Sequence, residues 1–242
     1  MQQTFPNIPV WSPRPGPRPA GPAGISVGYN RRRGPARGPA GCPASPRCLL
    51  SNDPSDPVRI LGLCGSLRGP DSFTRRLLVL VMAELDTLGA CTDFLDLAKT
   101  ELPMCKSAAD TDDHPGKQDL VARAARAQGF VLATPEYHNS YSGVLKNALD
   151  LLSSEQLGNK MFGLIGIAGG DMGAVNALGH LRIVIRGVNG HVIPQQISLP
   201  SVYRHFDGDQ LADERTAGRV RDFAAALALH TRRLAATLDD LA

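Results

Sequence analysis

Val58-Arg59-Ile60-Leu61-Gly62-Leu63-Cys64, closed by Gly65-Ser66, is the stretch on which the fold of this chain turns. A short run of branched and aliphatic side chains bounded by small residues is the pattern of a strand buried on both faces. Four more such runs follow: Cys91–Leu97, Phe130–Thr134 (cut off by Pro135), Met161–Ala168 and His191–Leu199. The intervals between them carry helical spacing. Leu77, Leu78, Val81, Leu85 and Leu88 run up to Gly89, and Leu120, Val121, Ala124 and Gln128 up to Gly129. Val144, Leu145, Ala148, Leu149 and Leu152 form a third helix, and Val175, Leu178, Leu181, Ile185 and Val188 a fourth. Val220, Phe223, Leu227, Leu234 and Leu238 mark a long closing helix, whose stripe serves either packing on the sheet or a subunit seam. Five strands alternating with five helices predict a doubly wound, five-stranded parallel sheet inside a three-layer α/β sandwich.

Upstream of Val58 the composition changes abruptly. Of the 19 prolines in the 242 residues, eleven precede Pro54, and residues 1–52 hold seven Arg, no Lys and no acid. Proline removes backbone donors and glycine raises the cost of ordering, so residues 1–56 are expected to form a disordered extension. Its acid-free, Arg-bearing make-up partly matches an organellar transit peptide, although only five Ser/Thr precede Asn52; a plain extension or a wrongly chosen start codon fit as well. The net charge of +3 is therefore an average of unlike parts. From Asp53 onward there are 19 basic and 23 acidic side chains, a net charge of −4, which argues against a nucleic-acid partner. No apolar run reaches the roughly 20 residues of a membrane span. The five cysteines, Cys42, Cys48, Cys64, Cys91 and Cys105, form no C-x-x-C pair, and no N-x-[ST] site occurs; a reducing, cytoplasmic setting fits, or an organelle stroma or matrix if the extension is a transit peptide.

Ligands of such sheets sit outside the C-terminal strand ends, where the strand order reverses. Three loops matter. Gly65-Ser66-Leu67-Arg68-Gly69-Pro70-Asp71-Ser72-Phe73-Thr74-Arg75 matches neither G-x-G-x-x-G nor the nucleotide-triphosphate loop. Its hydroxyls, guanidinium and small residues before a helix suit an anion, or simply a helix capped by Ser72 or Thr74. Pro135-Glu136-Tyr137-His138-Asn139-Ser140-Tyr141-Ser142-Gly143 offers backbone donors and a ring to a flat ligand, or forms a solvated loop. Gly169-Gly170-Asp171-Met172-Gly173 permits close backbone approach, or is a tight turn. None of the six His forms H-x-H or H-E-x-x-H, so no metal site is expected.

Gly65-Ser66-Leu67-Arg68 with Ser72 and Thr74, then Pro135-Glu136-Tyr137, then Gly143-Val144-Leu145-Lys146-Asn147-Ala148-Leu149-Asp150 together resemble the NAD(P)H-dependent FMN reductase family, which includes quinone, azo and chromate reductases. The resemblance covers essentially residues 58–199. It implies a flavodoxin-like fold with strand order 2-1-3-4-5 over residues 57–242. It also implies an FMN phosphate cradled by Ser66, Arg68, Ser72, Phe73 and Thr74, and a flavin lined by Pro135, Glu136, Tyr137, His138, Gly169 and Gly170. Gly69-Pro70-Asp71 places three residues between Arg68 and Ser72 where the family usually has two, an insertion expected to bulge outward.

The implied activity passes hydride from NADPH or NADH through FMN to a quinone or similar flat, small-molecule acceptor in a ping-pong cycle. No catalytic side chain is required, since the flavin carries the chemistry; Tyr137 is the candidate proton donor. A homodimer or homotetramer is implied as well. Two other classes share the fold: a flavodoxin-type electron-transfer protein, disfavoured by the modest acidity of the body, and a non-catalytic interaction protein without cofactor.

Overall fold

The computed structural model describes residues 57–106 and 111–239; the expected disordered extension over 1–56 lies outside them. Strands β1 (Arg59–Cys64), β2 (Cys91–Asp96), β3 (Gly129–Tyr137), β5 (Met161–Ile167) and β6 (His191–Leu199) pair in parallel in the order β2-β1-β3-β5-β6. A two-residue strand, β4 (Ser140–Tyr141), folds back antiparallel onto the end of β3. Setting β4 aside, the order is the expected 2-1-3-4-5. A small separate hairpin pairs β7 (Phe206–Asp207) with β8 (Gln210–Leu211).

The strand runs are apolar throughout because both faces of the sheet are covered. On one face, Ile60, Val131, Ala133, Ile165 and Ile197 pack with α1 (Phe73–Thr87) and α6 (Glu214–Asp239). On the other, Leu61, Leu63, Phe130, Leu132 and Leu164 pack with α2 (Pro115–Arg126), α3 (Gly143–Asp150), the one-turn α4 (Ser154–Leu157) and α5 (Val175–Gly187). Adjacent residues of one strand thus serve opposite layers, as the period of two demands. Gly163 shows how closely the layers approach: a Cβ there would overlap the ring of the buried Phe223. The stripe on α6 is accordingly core for Val220, Phe223 and Leu227, whereas Leu234 is half-buried and Leu238 lies at the surface.

Two expected boundaries move. Pro135 does not end the third strand; β3 continues to Tyr137 and pairs Pro135 with Ile167 of β5. Ala133, two residues earlier and hence facing the same side, accepts from Gly65 N at 2.8 Å, so Pro135 directs its missing donor past the end of β1. No ladder bond is lost there. Gly129 opens β3 rather than closing α2, which stops at Arg126.

Candidate functional site

β1 and β3 are neighbours whose connections leave in opposite directions across the sheet, which opens a crevice at their C-terminal ends. Three loops border it, and side-chain hydrogen bonds tie them together. Ser142 Oγ donates to Gly65 O at 2.6 Å and accepts from Leu145 N at 3.3 Å, while Ser142 N donates to Thr134 Oγ1 at 3.0 Å. The serine that caps α3 therefore also pins the loop after β1. Gly65 has no room for a side chain, since a Cβ would meet Ala133 O and Leu145 Cβ at 2.8 Å each.

In that first loop, Gly69–Asp71 winds into a single 3-10 turn with Gly69 at φ +58°, closed by Ser72 N donating to Gly69 O at 3.1 Å. The extra residue is thus absorbed as an outward turn. Ser72 keeps its place as the cap of α1, accepting from Arg75 N at 3.3 Å. The N–H groups of Phe73 and Thr74 then have no acceptor within the helix. Ser66 is buried and its Oγ accepts from Arg68 N at 3.4 Å. Arg68 is exposed and forms no ion pair among the described residues. Thr74 is 2% exposed, and its Oγ1 is one of two buried side-chain polar atoms without a hydrogen-bond partner among those residues. The other, Arg76 Nε, faces Asp209 at 3.3 Å. An orphaned hydroxyl, two free amides and an unpaired guanidinium at one helix start fit a phosphate group.

Not every expected contributor points the same way. The Phe73 ring packs against Phe206 of the β7–β8 hairpin, with centroids 5.3 Å apart, and lies beneath the Arg76 guanidinium. Arg75 turns to the buried Asp96 at 3.0 Å, on the side of β2. Cys64, at the end of β1, is buried and its thiol is pushed up to about 12 by that burial, so it stays protonated and unreactive.

The second loop is a tight hairpin. Glu136 pairs with Tyr141 and Tyr137 with Ser140, and His138 and Asn139 turn the corner at φ 49° and 62°. Successive left-handed residues are what a two-residue turn between twisted strands requires. His138 is exposed and Tyr137 is 51% exposed. The Glu136 side chain reaches across to a helix: its Oε2 accepts from Ala177 N at 2.9 Å, in the first turn of α5. In the third loop Gly169 and Gly170 are exposed, and a Cβ at either would meet nothing within 4 Å. Ser201 fastens this loop from the end of β6, its N donating to Gly170 O at 2.9 Å and its Oγ to Asp171. The ties made by Thr134, Ser142 and Ser201 escape motif reading, because a serine or threonine that bonds across loops has no sequence spacing of its own.

Fold and loops together define an open α/β protein with an unpartnered buried hydroxyl and an exposed guanidinium near the start of its first helix, and three loops beyond the C-terminal ends of its central strands. Residues 58–203 match the model of the NADPH-dependent FMN reductase family, more than half of the chain, and the chain belongs to that family. Among curated proteins it is similar to an NADPH azoreductase of Bacillus sp. (strain OY1-2), 39% identical over 111 residues, which are 46% of this chain and 62% of that protein. It is also similar to an FMN-dependent NADPH-azoreductase of Staphylococcus haemolyticus, 34% identical over 131 residues, 52% of this chain and 69% of that protein. The chain thus spans under two thirds of the Bacillus relative. Among solved structures, a flavoenzyme NAD(P)H:(acceptor) oxidoreductase from Paracoccus denitrificans superposes with a TM-score of 0.62 at 23% identity, over 73% of this chain and 98% of that one. An apo NADH:FMN oxidoreductase gives 0.60 at 22%, over 72% and 89%. At such identities the likeness is one of fold.

Proposed function

We propose that residues 57–242 form an NADPH-dependent FMN reductase unit that delivers two electrons to a quinone, azo compound or similar flat acceptor. The observation that carries this reading is the orphaned Thr74 hydroxyl, buried at a helix start beside free amides and an unpaired Arg68. Leaving a buried hydroxyl unsatisfied costs about 1–3 kcal/mol, a cost that a phosphate oxygen would remove. Ser66, Arg68, Ser72 and Thr74 would hold the phosphate of FMN, and the Pro135–His138 segment with Gly169 and Gly170 would border its ring. Bound FMN supplies the hydride relay between nicotinamide and acceptor.

The protein's share is binding, orientation and exclusion of water. Pro135 is fixed within β3, and the open space at Gly169 and Gly170 leaves room for a planar ligand. NADPH and acceptor use the same opening in turn, so the cycle is ping-pong. The half-exposed Tyr137 hydroxyl is the proton donor at the rim for an acceptor oxygen. Exposed Leu67, Tyr137, Met172 and Val175 on the three loops and the start of α5 support a second copy covering the crevice, in a homodimer or homotetramer. No helix among the described residues is long and apolar enough to cross a membrane.

The test is initial-rate kinetics of the FMN-loaded full chain, with NADPH varied against a quinone and against an azo dye. Parallel double-reciprocal lines and turnover of either acceptor are expected. Intersecting lines would overturn the shared-opening cycle, and NADPH oxidation that neither acceptor accelerates would overturn the acceptor class.

A further inference from the structure

We propose that Glu136 is a positioning residue. By accepting the Ala177 N–H, its carboxylate fixes the β3–β4 hairpin to the first turn of α5 and so sets where Tyr137 stands relative to Gly169 and Gly170. The proposal rests on the reading above, in which both segments border the flavin ring.

Ala174, in the cap position ahead of α5, has no side chain able to cap, and its N–H is itself taken by Ser198 Oγ at 2.9 Å. A helix start of this kind ordinarily uses a Ser, Thr, Asp or Asn of its own loop. Here the acceptor comes instead from a residue 41 positions earlier, on a different strand. A local cap would satisfy the helix equally well but would connect it to nothing. The borrowed carboxylate does both, and its charge is favourable at the positive end of α5.

The hairpin needs such a mooring. Its strands meet at only two residue pairs, Glu136 with Tyr141 and Tyr137 with Ser140, and a ladder so short does not hold its own position in water. A second tie lies further along the same helix face, where Ser140 Oγ and His180 Nδ1 are 3.0 Å apart. Tyr137, His138 and Asn139 hang between the two ties. The Glu136 carboxylate is engaged with the helix, so it acts through Tyr137 and the backbone beside it.

Three variants of the full chain separate positioning from plain capping: E136A, E136Q and the double variant E136A/N176D. Asn176 is exposed in the first turn of α5, so N176D returns a carboxylate to the helix start without a link to β3. Hydrogen exchange of the amides of residues 136–142 is read without added FMN, at one fixed interval below each variant's Tm, and FMN affinity is read by titration. E136A should expose the hairpin amides and weaken FMN binding by about tenfold, the size of one lost charge-assisted hydrogen bond. E136Q, whose amide oxygen can accept the same bond, should stay close to the parent. E136A/N176D should remain as loose at the hairpin as E136A. Hairpin exchange and FMN affinity that are unchanged in E136A, or restored in the double variant, would overturn the proposal. If the parent protein itself takes up no FMN, the functional reading falls, and the exchange measurement still decides the tether.

Discussion

At Thr74 the effects of one hydroxyl on stability and on ligand binding separate. Its hydroxyl is buried and unpartnered, and Ser72 on the preceding turn already serves the helix as cap. Thr74→Val keeps the shape and removes the hydroxyl. In the protein without cofactor that removes an unsatisfied group, so Tm should hold or rise, whereas FMN affinity should fall by roughly three- to tenfold. Arg68→Ala, at an exposed position, should leave Tm unchanged and also weaken FMN. Thermal melts with and without FMN check both. A Tm loss in Thr74→Val without any change in FMN affinity would return the residue to an ordinary packing role. Residue types at this loop were legible in the sequence, because hydroxyls and a guanidinium ahead of a helix have a physical use. The ties of Thr134 and Ser142 were not, since their partners follow no fixed spacing: Ser142 N meets Thr134 eight positions back, and Ser142 Oγ meets Gly65, 77 positions away.

Elements were more legible than their ends. The both-faces burial that makes β1, β3 and β5 continuous apolar runs is the feature a sequence displays most openly, whereas the strand order came from the family resemblance. Ends depend on partners instead. Pro135 reads as a terminator in isolation, yet β1 has already finished beside it, so the strand runs on. The β3–β4 hairpin was hidden because His138 and Asn139 adopt left-handed backbone without a glycine to signal it. The C-terminal end of α2 makes a further point. Lys160 donates to the carbonyls of Ala124 and Ala125 at 2.6 and 3.1 Å, as a cation at that end should. Burial nevertheless outweighs those contacts and pushes its ammonium down to about 8 from 10.5. Between these values the unfolded chain holds the proton that the folded one has released, so Lys160 makes folding more favourable as pH rises from about 8 towards 10.5. The Tm difference between parent and Lys160→Met should therefore shift in the parent's favour over that window. A difference flat with pH would place the lysine in water.

At the scale of the whole molecule, the chain divides by composition before it divides by structure: an acid-free, Arg-bearing stretch precedes an acidic body that folds as three layers. The sheet topology fixes where a ligand can sit, and three loops joined by Ser142, Glu136 and Ser201 give that place its chemistry. Family membership agrees with both. What topology does not encode is the acceptor, because open space beside Gly169 and Gly170 singles out no one molecule. The central claim, that this chain holds FMN and takes hydride from NADPH, has one direct measurement. The full-length protein, incubated with FMN and freed of excess, is mixed anaerobically with NADPH while the visible flavin absorption is followed. The expected result is a yellow protein whose absorption bleaches on mixing and returns when a quinone is added. A protein that stays colourless after FMN, or a bound flavin that remains oxidised in excess NADPH, would contradict it.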